Sequence, residues 1–275
     1  MEVQFGMNFD EYRDMYKEHF EITRKDGIIE VRMAHKGGPG LWDLSKNYGW
    51  APLLNAIRAD QENEVLIFGG TGDVFFRDID REYVKKVMAA FEADPELYGK
   101  MMFDTVGRVS EMLRSLVDIG IPTIGVINGP STGGHYELPL LADLTLCAPN
   151  VVFNDYHFVG SMVPGDGTYF VLQQKIGQAR TNQYTYLGTP IDAQKAEELG
   201  LVTEVHDSDK IYARAWEIAE RINERPRAVK RLTHEMGVRQ LRKALVDDLF
   251  FQCSMEAWAG GLAKSNPMHT VEKKA

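Results

Sequence analysis

IPTIGVINGPSTGGHYELPLLADLTLCA, residues 121–148, is the stretch that decides the fold class. An apolar run of strand length ends at the turn dipeptide Asn128-Gly129, and a second apolar run closes the stretch at Cys147 and Ala148. Between them the chain is expected to open a short helix at Gly133 and Gly134, giving strand, helix, strand. The same alternation extends outward in both directions. Upstream, EVLIFGG (64–70) predicts a buried strand, and EITRKDG (21–27) with IIEVRMA (28–34) predicts two strands around an Asp26-Gly27 turn. Residues 9–20 read as a short amphipathic segment, and helices are expected over 50–60 and the second half of 81–118, where Met101, Val106, Val109, Met112, Leu113 and Leu116 recur at helical spacing. Downstream, VVFND (151–155) and LVTEV (201–205) read as strands and 168–188 and 192–199 as helices, while from 209 onward the pattern is charged and helical. The expectation is an α/β core over residues 1–205 followed by a helical region over 206–275.

Bulk properties narrow the function. The chain has 275 residues, 44% of them apolar, enough for one large domain. A formal net charge of −9 argues against binding a phosphate backbone, which calls for a basic face. Cys147 and Cys253 are the only cysteines, far apart and without metal-ligand spacing, so two buried thiols in a reducing compartment are expected. The first twenty residues are charged throughout, with no apolar signal core. No apolar run approaches the roughly 20 residues needed to cross a bilayer. A cytoplasmic protein with neither a membrane nor a nucleic-acid partner is the expectation.

Three segments combine glycines with reactive side chains. In FGGTGDVFFRDID (68–80) the glycines follow a strand, but their spacing matches neither GxGxxG nor a P-loop, so a phosphate cradle and a plain turn both stay open. In NGPSTGGHYELP (128–139) a helix opening at the glycines would present unpaired amides to a developing oxyanion, with His135 and Glu137 following at once. In FNDYHFVGSMVPGDG (153–167), His157 precedes Asp166 by nine residues, across a Val163-Pro164-Gly165 turn. Folding back there brings carboxylate and imidazole together. An Asp accepting from one ring nitrogen fixes the tautomer and strengthens the other as a base, from a reference pKa of roughly 6.5.

In order and spacing these segments resemble the crotonase (enoyl-CoA hydratase/isomerase) superfamily over roughly residues 20–260. The resemblance implies a crotonase-like spiral of ββα units with a C-terminal helical region that supports trimers, often paired into hexamers. It implies oxyanion amides at Gly134 and Ile79, and Glu137 at the first glutamate position of a hydratase. The second glutamate position holds His157 instead, which puts ordinary hydration in doubt. That departure is similar to the 6-oxocamphor hydrolase and β-diketone hydrolase branch. There the resemblance covers His157 and Asp166 in H-x8-D-G, Trp42 ending the first glycine-rich loop, His135 before x-E-x-P, and Glu256 in MEAWA.

What this likeness implies is cofactor-independent retro-Claisen hydrolysis of a β-diketone, cyclic or bulky. Asp166 would orient His157, His157 would take a proton from water, and the water would attack one carbonyl and expel the neighbouring carbon as an enolate. Trp42 and His135 would hold the enolate, and Glu256 would steer its protonation. No metal is called for. Two alternatives stay open: a coenzyme-A thioester enzyme of the same fold, and a non-catalytic member.

Overall fold

A computed structural model of the chain describes residues 6–42, 44–79, 82, 85–86, 89, 93–131 and 135–262. The N-terminal helix α1 (Phe9–Tyr16) starts at a capping box in which Asn8 and Glu11 satisfy each other's backbone amides. It leads into the hairpin β1 (Phe20–Lys25) and β2 (Ile28–His35), antiparallel in register, with Asp26 and Gly27 both left-handed at the turn as a two-residue hairpin demands. Two-residue strands β3 (Gly38–Pro39) and β4 (Leu41–Trp42) follow, then helix α2 (Leu44–Ala59) and strand β5 (Val65–Gly70).

Beyond the short strand β6 (Asp78–Ile79) come helix α3 (Pro95–Val117), strand β7 (Thr123–Ile127), the single-turn helix α4 (Glu137–Leu140), and strands β8 (Leu144–Cys147) and β9 (Val152–Phe153). Helices α5 (Thr168–Ile176) and α6 (Gln178–Leu187) are separate, broken at Gly177 where one continuous helical stretch was expected. Strand β10 (Ile191–Asp192), helix α7 (Ala193–Leu199) and strand β11 (Glu204–Val205) complete the alternation. Helices α8 (Ile211–Asn223), α9 (Arg227–Ala244) and α10 (Phe250–Leu262) end the described chain, a π turn at 245–249 joining the last two.

The main sheet runs β1-β2-β5-β7-β8-β11 with β3 on the side of β2. Only the pairings of β2 with β1 and β3 are antiparallel. Every residue of β5 and β7 is buried, as parallel strands covered on both faces must be. The inner face carries the larger core, where Trp50 of α2 packs edge-on to Phe20 at 4.7 Å and Phe68 at 6.0 Å. The outer face is closed by α8, whose Ile211, Ala215 and Ala219 cover Ile67, Ile124 and Val126. The first helix of the C-terminal region is thus a layer of the sheet itself. Both cysteines are buried thiols. Among the described residues, no helix is long and apolar enough to cross a membrane.

Two devices lock the loops at the carboxyl ends of β5 and β7. Asn128 accepts from the Gly70 amide at 3.0 Å and donates to the carbonyls of Gly72 and Val74 at 2.8 and 2.9 Å. Tyr212 of α8 donates to the Gly70 carbonyl at 2.6 Å. The glycine-rich turn after β5 is therefore held by the protein's own polar groups. A parallel bridge between Phe76 and Ser131 then ties this turn to the loop ahead of α4.

Candidate active site

Six titratable side chains from four stretches of chain converge beside α4. His157 stands in the loop after β9. Its backbone amide donates to Asp155 Oδ1 at 2.9 Å, and its Nδ1 lies 2.7 Å from that same oxygen. Two tight turns follow, with Gly160 N–H on Tyr156 O at 2.8 Å, Met162 N–H on His157 O at 2.7 Å and Ser161 left-handed. They return the chain past Pro164, so that Asp166 Oδ2 comes 3.6 Å from His157 Nε2.

The backward bend expected at Pro164 is present, but the pairing it makes is a different one. Asp166 faces Nε2, the nitrogen reserved for water, at more than hydrogen-bond distance. The carboxylate on Nδ1 is Asp155, which the sequence reading did not single out, although the Asp-x-His spacing was the available signal.

Glu256 of α10 supplies the third face, Oε1 lying 3.8 Å from His157 Nε2. Its position is set by Gly165. A Cβ there would sit 2.3 Å from the Gln252 carbonyl and 2.6 Å from Glu256 Cβ, so only glycine lets the turn press this closely on α10. On the opposite side, His135 is left-handed at φ 59°, its ring 5.8 Å from Phe76 and its Nδ1 3.9 Å from Glu137 Oε2.

Glu137 opens α4, which is four residues long, with Pro139 tolerated in its first turn. The described helix begins at Glu137, and Gly133 and Gly134, where it was expected to open, lie outside the described residues. One turn of helix has little dipole to aim at an oxyanion. Ile79 and Trp42 are backbone partners across the parallel pair β4–β6, while the Trp42 side chain lies outside the described part of the structure.

Proton positions follow from counting. Thr168 Oγ1 lies 2.5 Å from Glu137 Oε1 and 3.0 Å from Asp166 Oδ1. A hydroxyl carries one proton, so one carboxyl group must donate to it. Burial, and then the charge of Asp166, push Glu137 up to about 8, which makes Glu137 the donor and Asp166 the acceptor. Burial alone would raise Asp166 too, but the charge on His157 and the Thr168 donors hold it low. Burial and the neighbouring Asp166 raise Glu256 to about 7. Burial lowers His135, leaving a neutral ring.

For His157, burial opposes the charge, yet the Asp155 hydrogen bond and the facing Asp166 and Glu256 outweigh it and raise the imidazole to about 10. The expectation of a base near its ordinary value is corrected accordingly. His157 is a much stronger base, and it is charged at neutral pH.

The cluster forms part of the wall of two mainly apolar cavities. One, of about 290 Å³, is bordered by His135, Glu137, His157, Leu140 and Phe153. The other, of about 260 Å³, is bordered by Val106, Val109, Cys253 and Glu256, and Asp166 touches both. Ligand atoms of His135, Glu137 and Asp166, and of His157, Asp166 and Glu256, lie within 4.8 Å of one another, close enough to hold a cation as well as to pass a proton.

Comparison with known proteins shows the family and the fold. The family model described as enoyl-CoA hydratase/isomerase matches residues 51–257. Carnitinyl-CoA dehydratases from Salmonella typhi and Citrobacter koseri are 26% and 27% identical over 230 residues, covering 81% of this chain and 84% of theirs. A solved β-diketone hydrolase from the cyanobacterium Anabaena sp., bound to (S)-3-oxocyclohexyl acetic acid, superposes with a TM-score of 0.82 at 28% identity, over 91% of this chain and 97% of that one. An enoyl-CoA hydratase/isomerase from Mycobacterium paratuberculosis gives 0.79 at 23% identity, over 93% of this chain and 98% of that one, and shares the fold.

Proposed function

The chain belongs to the enoyl-CoA hydratase/isomerase family, with the crotonase fold, and on that premise we propose that it hydrolyses a carbon–carbon bond of a β-diketone by a retro-Claisen reaction. The observation that carries the proposal is the Nε2 of His157, which faces Asp166 and Glu256, His157 bordering one apolar cavity, Glu256 the other and Asp166 both. A hydratase needs two glutamates around its water; here an imidazole stands at the second position. The β-diketone hydrolase likeness supports the same class, since its bound ligand is a keto acid, the product type that hydrolytic ring opening of a diketone gives.

The working cycle begins with the proton on His157. That proton must be lost to solvent before catalysis, which leaves Glu256 beside Nε2 as the proton relay. Neutral His157 takes a proton from water through Nε2, and the hydroxide adds to one carbonyl. The tetrahedral oxyanion collapses to a carboxylic acid and expels the neighbouring carbon as an enolate, delocalised onto the second carbonyl. Neutral His135 donates to the enolate oxygen, assisted by the Trp42 indole and the amides of Gly134 and Ile79; each such donor is worth about 3–4 kcal/mol in the transition state. His157 hands the proton it took from water to Glu256, which delivers it to the carbon, and the new acid releases one to solvent. Diketone plus water becomes ketone plus acid, with no cofactor consumed. The assembly proposed is a homotrimer or a pair of trimers.

The test is a panel of cyclic and open-chain β-diketones, followed by loss of the enol absorbance. Cleavage of at least one is expected; an inert panel overturns the proposal. Because His157 is held charged, kcat/KM should climb as pH rises from 7 towards 10 rather than level off above 6.5. A plateau by pH 7 would contradict the assigned base.

A second reading, a coenzyme-A thioester enzyme, is favoured by the likeness to the carnitinyl-CoA dehydratases. Thermal shift separates the two, because a ligand stabilises the fold it binds. Acetoacetyl-CoA should leave Tm unchanged while a cleaved diketone's keto-acid product raises it. The reverse pattern would favour the thioester enzyme.

A further inference from the structure

Asp155 has no part in the family resemblance, yet it makes the shortest contact of the His157 ring with a carboxylate. Oδ1 lies 2.7 Å from the ring's Nδ1 and also accepts from the His157 amide at 2.9 Å, so one oxygen fixes both the backbone and the ring of the same residue. The carboxylate side chain is only 5% exposed, and Oδ2 is buried with no hydrogen-bond partner among the described residues. A carboxylate buried this deeply needs a compensating charge. Its ion-pair partner among the described residues is the imidazole. A loop cap alone would need neither burial nor the ring contact.

We infer that Asp155 is the positioning residue of the reaction proposed above: it holds the neutral His157 ring as the Nδ1–H tautomer and so turns Nε2 to water, leaving Asp166 on the water's side. The inference rests on the proposed hydrolysis for its catalytic meaning, but the tautomer and basicity of His157 can be read without any substrate.

The groups facing His157 are Asp155 from its own loop, Asp166 from the loop before α5, and Glu256 from α10, with the neutral His135 across the site beside Glu137. Of the carboxylates, only Asp155 touches Nδ1. Asp166 and Glu256 approach Nε2 at 3.6 and 3.8 Å, outside hydrogen-bond range, and cannot choose the tautomer while that nitrogen is unprotonated.

The experiment is a nitrogen-detected NMR titration of His157 in wild type and Asp155→Asn, with no substrate present, alongside the pH profile of kcat/KM. In wild type, the alkaline form should carry its proton on Nδ1. In D155N the titration midpoint should fall by about 1–3 units, the range an adjacent opposite charge commands. The acid limb of kcat/KM should move by the same amount. Its alkaline plateau should drop by about 10²–10⁴-fold with KM little changed, as for other catalytic histidines deprived of their orienting carboxylate.

A folded D155N with an unmoved midpoint overturns the inference. So does an Nε2–H tautomer in wild type, which needs no variant to be folded. If the midpoint falls as expected while wild type cleaves no diketone, the Asp155–His157 coupling stands and the proposed hydrolysis falls.

Discussion

Replacing His157 with alanine is expected to lower kcat/KM for β-diketone cleavage by about 10²–10⁴-fold, the contribution of a positioned general base. Among the described residues the ring is the one group whose nitrogen faces both Asp166 and Glu256, so its loss removes the acceptor of the water proton and the source of the proton on Glu256 together. Asp155 would then be left buried without its cation, which lowers stability as well. His157→Gln, whose side chain keeps polar atoms near the same carboxylates, controls for that. It should recover thermal stability without recovering rate. Activity within a few-fold of wild type in either folded variant would remove His157 from the mechanism.

Gly129→Ala is expected to cost more than about 3 kcal/mol, at or beyond the upper end of overpacking penalties, and to prevent accumulation of folded protein at 37 °C. An added Cβ would sit 2.0 Å from the Asp73 carbonyl oxygen, 2.8 Å from its carbon and 3.0 Å from Val74 Cα. All three are backbone atoms of a turn already clamped by Asn128, so none can move aside without breaking the Gly72 and Val74 hydrogen bonds. Urea denaturation checks it: the midpoint should fall sharply or the protein should be insoluble. A wild-type midpoint would mean that the turn is far softer than its contacts indicate.

The glycine-rich segment shows how unevenly function is written in this chain. Val65–Gly70 and Thr123–Ile127 could be read as strands because each is an unbroken apolar run, and full burial on two faces demands that. The Asp26-Gly27 hairpin was legible because the turn requires left-handed residues. The pairing of β4 with β6 was not. Two residues carry no periodicity, and the partners at Trp42 and Ile79 are joined by geometry rather than pattern. The helix over 137–140 was expected three or four residues early, since glycines mark a permissive backbone without stating where hydrogen bonding begins.

At the site, the convergence of His157, Asp166, Glu256, Glu137 and His135 was legible from the family pattern, but the division of labour within it was not. Which ring nitrogen meets which carboxylate depends on the two turns between Tyr156 and Met162 and on the close contact of Gly165 with α10. Asp155 escaped notice because it ends an apolar strand signal, where an acidic residue reads as a solvated strand terminus. The strong basicity of His157 arises from carboxylates on three separate stretches of chain, and no local window contains all three.

The most direct measurement is product analysis after incubating the purified protein with a cyclic β-diketone in heavy-oxygen water. The expected product is a ring-opened keto acid carrying solvent oxygen in its carboxyl group, formed by wild type and not by His157→Ala. Recovery of the diketone intact from wild type, with acyl-CoA thioesters turned over in its place, would contradict it.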